Sequence, residues 1–262
     1  MIRTLLLQCT QPFAQYRNPF TFYYAQTFPL PPKSTIIGML QNATGRYYNQ
    51  KFWELQVSVH GGFESIFWNY SSMVKGDITL SNGKLINQNF PLYGAMKTSQ
   101  RTPINMQELY NGHLWIFIRA SEEFPYWNEL KQALNNPSKV LCLGRTEDII
   151  FIKEVQEISP DSLITINKSL WMHYPTYLKN GVPIKNKRYP VYSFPIQVVF
   201  KNNDIPIKSK TEIDKKTERD TKFETFVYAG TDSAFYFNTP ICAEAFRTEK
   251  DIFVIPTEYG WM

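Results

Sequence analysis

Residues 28 to 46, Phe-Pro-Leu-Pro-Pro-Lys-Ser-Thr-Ile-Ile-Gly-Met-Leu-Gln-Asn-Ala-Thr-Gly-Arg, constrain the fold of this chain more than any other stretch. Pro29, Pro31 and Pro32 hold the approach extended, and each disfavours helix in the residue before it. Ser34 or Thr35 then caps a helix over 34 to 44, with Ile36, Met39, Leu40 and Ala43 as its apolar face and Gly45 as its stop. Free N–H groups at its start, the helix dipole and Lys33 suit a phosphate. The same residues equally describe a plain capped amphipathic helix, and both readings stay open here. A nucleotide-binding P-loop is excluded. Its two glycines before Lys33-Ser34 are replaced by Pro32 and Thr27, so no backbone cradle forms.

The 262 residues are enough for one large domain or two modest ones. Cys9, Cys142 and Cys242 are odd in number and far apart, and His60, His113 and His173 are equally scattered. Neither a disulfide framework nor a metal site is expected, and no cofactor. Ile2 to Leu7 is broken by Arg3 and Thr4, and no apolar run approaches membrane-spanning length, so a cytoplasmic protein without a membrane partner is expected.

Charge is laid out unevenly. Residues 1 to 53 carry five Lys or Arg and no Asp or Glu, and residues 162 to 203 carry six and none. The remainder is acidic: 108 to 161 holds five basic against nine acidic residues, and 204 to 262 holds eight against eleven. Long acid-free runs avoid repulsion, which fits one face meeting a polyanion.

Ile2 to Cys9 reads as a buried strand leading into an aromatic loop. Between Phe13 and Phe28 lie seven aromatics, so some must pack inside, while a tyrosine such as Tyr16 beside Arg17 can also stack on bases. Strands are expected near 56 to 60 and 63 to 70. Asn82-Gly83 between β-prone runs marks a hairpin, and the surrounding 70 to 110 stretch, with Lys75, Lys84, Lys97 and Arg101, reads as a projecting basic hairpin or a solvated surface excursion. A strand over 113 to 120, a helix over 124 to 134, and strand-like segments over 140 to 143 and 149 to 158 follow. Between the last two, Gly144-Arg145 forms a turn that either clamps phosphate or carries a surface Arg–Glu pair. The order β, α, ββ, α, β fits a ferredoxin-like sandwich. Beyond Pro160, short proline-punctuated strands such as 192 to 200, 224 to 228 and 252 to 255 indicate a β-rich region, with a mobile loop over 201 to 222.

Phe28-x-x-Pro31-Pro32-x-Ser34-Thr35-Ile36-x-Gly38-Met39-Leu40-x-x-Ala43-x-Gly45, followed by Leu143-Gly144-Arg145-x-Glu147, resembles the CRISPR-associated Cas-five proteins of the RAMP superfamily. These cap the 5′ end of the guide RNA in type I Cascade complexes, and the subtype I-B branch is the most similar. The resemblance implies an α+β chain: a ferredoxin-like (RRM-like) domain over 1 to 158 with a thumb hairpin at about 70 to 110, and a β-rich region over 159 to 262. It implies binding to the crRNA 5′ handle, contacts with a backbone subunit and the large subunit, and proximity to target DNA near the PAM end. RNA contact falls on Lys33, Ser34 and Thr35, with Tyr16, Arg17 and Arg46 flanking, on Lys84, Lys97 and Arg101 in the thumb, and on Gly144 and Arg145. Relatives carry a richer glycine loop than Gly144 alone. One branch of the family cuts precursor RNA without metal, which needs a general base and a cation; His173 beside Tyr174, with Lys168 and Lys179 near in sequence, is the candidate. A subunit that binds only proteins through its aromatics is the remaining alternative.

Overall fold

The computed structural model describes residues 2–21, 24–75, 78–81, 84–88, 100–185, 189–200, 219–230 and 234–262, with side chains described except within 72–102 and at Phe200 and Arg219. In chain order the elements are β1 (Ile2–Ala14), β2 (Tyr24–Ala25), α1 (Lys33–Thr44), a 3-10 turn (Gln50–Glu54), β3 (Gln56–Lys75), β4 (Ile78–Ser81) and β5 (Lys84–Gln88). There follow β6 (Gln100–Ser121), α2 (Trp127–Asn135), β7 (Phe151–Glu157), β8 (Ser162–Ile166), β9 (Ser169–Trp171), β10 (Thr176–Lys179) and β11 (Val191–Phe200). The chain closes with β12 (Arg219–Ala229), β13 (Ala234–Tyr236), β14 (Ile241–Arg247) and β15 (Ile252–Pro256). The described residues thus form an α+β architecture that is mostly sheet, with two α-helices.

The main sheet runs β11-β12-β10-β3-β6-β1-β7, and β1 pairs antiparallel with both β6 and β7. Alternation along its central strands explains why both faces are covered. Leu5 and Leu7 of β1, Val57 and Val59 of β3, and Leu114, Ile116 and Ile118 of β6 share one core with Ile36, Ile37 and Leu40 of α1 and Leu130 and Leu134 of α2. The intervening residues Leu6 and Phe117 point the other way, into a core with Phe246, Phe253, Ile255 and Trp261. That second layer is the sheet β15-β14-β8. Residue 158 lies between β7 and β8, and strands from both sides of it share the main sheet, β10 meeting β3 at Thr176 and His60.

Local chemistry sets the element ends. Gly45 takes a left-handed φ of 68°, which lets its N–H bond Asn42 O at 3.3 Å and the Arg46 N–H bond Gln41 O at 3.0 Å, closing the last turn of α1. At the other end the N-cap is Pro32, with no side chain closing the turn, in place of the expected Ser34 or Thr35. Pro32 is already extended, so the chain enters the helix one residue sooner and both hydroxyls fall inside its first turn.

Other boundaries moved for tertiary reasons. The two strands expected at 56 to 60 and 63 to 70 are one strand, β3, because β6 pairs with it from Gln56 to Lys75. Residues 140 to 143 form no strand, only a bridge from Cys142 to Ile149. Polar Gln11 stays inside β1, fully buried, since its amide donates to Leu143 O and Asp148 O and its oxygen accepts from Tyr16. β4 and β5 pair on either side of Asn82-Gly83, and those two residues lie outside the described residues, as does 201–218 of the expected mobile loop.

Past the end of β1, where Ala14 faces Leu109, β3 and β6 continue as a two-stranded arm to the pair Lys75–Gln100, about 30 Å at a strand's rise per residue. β2 adds to this arm parallel to β6, placing Tyr24 against Asn105. No described helix is long and apolar enough to cross a membrane.

Candidate nucleic-acid interface

The start of α1 gathers positive charge. Lys33 is buried, and its Nζ donates to Trp53 O at 3.1 Å. Burial, and then the nearby Lys179, pull its pKa down to about 8, with Lys222 adding to this and Glu224 opposing it. No described carboxylate lies within ion-pair distance of Lys33, Lys179 or Lys222. Ser34 and Thr35 are half-buried in this first turn, and no side chain caps it. Lys33 therefore acts here as an internal charge flanked by two outer lysines.

The loop from Leu141 to Ile150 is organised differently. Gly144 has φ 121°, and a Cβ there would sit 2.6 Å from Asp148 Oδ2 and 3.0 Å from Gln15 O, so only glycine fits. Asp148 is buried and accepts from the backbone N–H of Gln15 at 3.0 Å and of Arg145 at 2.8 Å. The Arg145 guanidinium reaches Asp148 at 2.8 Å, Glu108 at 2.7 Å and Glu147 at 3.3 Å. Burial alone would lower its pKa, but the hydrogen bonds to Asp148 and Glu108 hold it well above the ordinary value. Arg145 was expected to clamp phosphate; its charge is instead matched inside the protein, as in the alternative of a turn carrying an Arg–Glu pair.

Tyr16 belongs to the same network, which corrects the expectation that it stacks on a base. It is 1% exposed, its hydroxyl donates to Gln11 Oε1 at 2.5 Å, and its N–H donates to Thr27 Oγ1 at 2.9 Å. Gln15 Nε2 donates to Ala25 O and Gln107 O, and Gln107 Oε1 accepts the Thr27 N–H. The segment around Tyr16 is thereby tied to the arm. Arg17 is exposed and bridges Thr27 through the backbone. Arg46 is exposed yet engaged: Nε lies 2.9 Å from both carboxylate oxygens of Glu129, and the guanidinium sits 4.1 Å from the Tyr126 ring centroid, fastening α1 to the helix α2 region.

Lys84 and Arg101 lie on β5 and β6, where only the backbone is described, and Lys97 is outside the described residues. The arm's root carries a feature the residue pattern had not singled out. Trp68 and Tyr70 are 50% and 68% exposed, and Tyr24, 62% exposed, meets Trp68 edge to face at 6.1 Å. Phe13 and Tyr110 form a second exposed ring pair at 5.3 Å. The signal was present in Trp68 and Tyr70, two apart in a strand, but a strand reading does not tell which face stays uncovered.

His173 is exposed, and Tyr174 beside it donates to Asp251 Oδ1 at 3.1 Å while its ring packs 4.2 Å from Trp115. The adjoining groove is lined by His60, Trp171, Met172, His173, Tyr174 and Ile252 to Val254, with no lysine. His60 is fully buried and, through burial, has its pKa pulled down to about 3, so it stays neutral beside Ser58 Oγ. Cys9, buried in the core, has its thiol pushed up to about 12 and is unreactive. Among the described residues no cluster of His, Cys, Asp and Glu forms a metal site.

The sequence matches the model of the family described as CRISPR-associated protein (Cas_Cas5) over residues 4–220. Among solved structures, the fold is similar to a chain of a CRISPR RNA-guided surveillance complex, at 12% identity and TM-score 0.51, covering 90% of this chain and 91% of that one. A CRISPR protein from Archaeoglobus fulgidus aligns at 11% identity and TM-score 0.47, over 97% of this chain and 99% of that one. No curated protein matches by sequence. Because the family match spans most of the chain, from β1 to the start of β12, this protein belongs to the CRISPR-associated Cas5 family.

Proposed function

We propose that this chain is a non-catalytic, cytoplasmic RNA-binding subunit of a type I CRISPR interference complex of subtype I-B, which caps the 5′ handle of the crRNA and bridges the large subunit to the backbone subunits. In this reading residues 1–158 are a ferredoxin-like RAMP domain, the arm and its tip at 70–110 are a thumb, and 159–262 is a supporting β-rich region. Target DNA near the PAM end is a further contact. The observation that carries the reading is the first turn of α1, where Lys179 and Lys222 lie near Lys33, with Glu224 as the opposing charge. Backbone N–H groups and lysines at a helix start fit the phosphates of a single strand. Ser34 and Thr35, in the same turn, and exposed Arg17 belong to that contact, and Lys84, Lys97 and Arg101 extend it along the thumb.

The test is anisotropy of labelled handle RNA against a shuffled RNA across a salt series. Binding that favours the handle and weakens linearly in log salt supports the reading. Binding that ignores the handle sequence and survives high salt overturns it. Processing of precursor RNA through His173 is not favoured by the site, where no lysine lines the groove and Tyr174 donates to Asp251. Cleavage of repeat RNA in EDTA, lost in His173→Ala, would restore it.

A further inference from the structure

We infer that Trp68, Tyr70 and Tyr24 form a platform at the root of the arm on which one or two unpaired RNA bases stack. This rests on the RNA-binding reading above and deepens it.

Three observations converge. Trp68 and Tyr70 are two apart on β3, so they emerge on one face, and Tyr70 and Tyr24 are both register partners of Asn105, from opposite sides of β6. The row Tyr24–Asn105–Tyr70 therefore crosses three strands, about 10 Å from end to end. All three rings stay at least half exposed, a costly arrangement for large aromatics unless something flat covers them.

The platform is also held rigid from below. Tyr24 sits on β2, whose neighbour Ala25 accepts from Gln15 Nε2 at 3.2 Å, and the same amide reaches Gln107 O at 3.1 Å. Gln107 is the register partner of Trp68. Rings fixed in this way lose little entropy on stacking.

Charge selects the occupant. Glu108, the carboxylate of β6 at this level, is buried and engaged by Arg145 at 2.7 Å and by Asn69 at 3.2 Å. From residue 65 to 107 the chain carries Lys75, Lys84, Lys97 and Arg101 against Asp77 alone. A polyanion with exposed bases matches both the flat apolar rings and this basic stretch of sequence, whereas an acidic or neutral protein surface would match only one of them.

The experiment places 2-aminopurine at successive positions of the handle RNA and follows its fluorescence on binding to the wild-type chain and to Trp68→Ala, Tyr70→Ala and Trp68→Phe. Stacking predicts quenching at one or two adjacent positions, lost in Trp68→Ala and kept in Trp68→Phe. It also predicts affinity about 5- to 150-fold weaker in Trp68→Ala with an unchanged salt slope. If the wild type binds handle RNA with a steep salt slope but neither alanine variant changes affinity or quenching, the platform is refuted while the RNA-binding reading stands. If the wild type fails to bind RNA, that reading falls first. A variant that keeps RNA affinity and loses a partner subunit in co-purification assigns the rings to a protein contact, and likewise overturns the platform. Equal melting temperatures across the variants confirm that the exposed substitutions leave the fold intact.

Discussion

The loop at Gly144-Arg145 and the first turn of α1 both present a basic residue on a short motif, and both were expected to hold RNA. They differ in what surrounds the cation. Arg145 is met by Asp148, Glu108 and Glu147, so its charge is spent on fixing the loop to β1 and β6. Lys33 has its pKa lowered by burial first and then by Lys179, with Lys222 adding to this and Glu224 opposing it, and no described carboxylate is paired to it. The lesson is that a cation's motif says little about its availability, since groups distant in the chain, Glu108 of β6 for Arg145 and Lys179 of β10 for Lys33, join the local ones in neutralising or reinforcing it.

Five measurements test this contrast. Arg145→Ala has the largest expected effect: two buried carboxylates lose their counter-ion, and urea unfolding is expected to show a loss of about 3 kcal/mol. RNA binding by the folded variant keeps its salt slope; a stable variant with a shallower slope would make Arg145 an RNA ligand and dissolve the contrast. Gly144→Ala comes next, at about 2 kcal/mol, because a left-handed backbone and a close Asp148 both oppose a Cβ.

On the other side, Lys179→Ala and Lys222→Ala leave melting unchanged. Each is expected to reduce the log–log salt slope of RNA binding by about 0.7, as for one phosphate contact on a single strand. Unaltered slopes in both variants would remove the α1 start from the interface. Tyr16→Phe is a smaller change, about 1 kcal/mol, from leaving buried Gln11 Oε1 without its donor, and it leaves RNA affinity untouched.

The smallest effect is a pH dependence. Lys33 has its pKa lowered in the fold from 10.5 to about 8, so between those values the unfolded chain binds more protons, and stability rises with pH through that window. Lys33→Met flattens this rise in melting temperature. A phosphate beside the turn reverses the shift, so RNA binding takes up a proton near pH 8 and weakens as pH rises above it. Calorimetry in buffers of different ionisation enthalpy detects the uptake, and its absence places the phosphate elsewhere.

Much of the outline was legible because it is written in local rules. The prolines before α1, its apolar spacing and Gly45 set one helix to within a residue at its start, and the apolar run Leu114 to Ile118 marked a central strand of the sheet. The short strands β8, β9, β10, β13 and β14 went unread. They are three to seven residues long and depend on partners more than on their own pattern: β14, for instance, lies between β8 and β15. Of the candidate site, the α1 turn was found by its motif, while the aromatic platform was not, because which face of a strand stays bare depends on what packs on it.

The kinds of element and their order over the first half, the uneven charge and the family are all set by the residues alone. Backbone sterics, side-chain period and a long motif act over a few residues and need no tertiary context. Only the tertiary structure decided that Tyr16 is core, that Arg145 is neutralised and that Trp68 stands beside Tyr24. Burial and ion pairing depend on through-space neighbours, and these include residues 11 to 44 positions away in the chain, Thr27 from Tyr16, Glu108 from Arg145 and Trp68 from Tyr24.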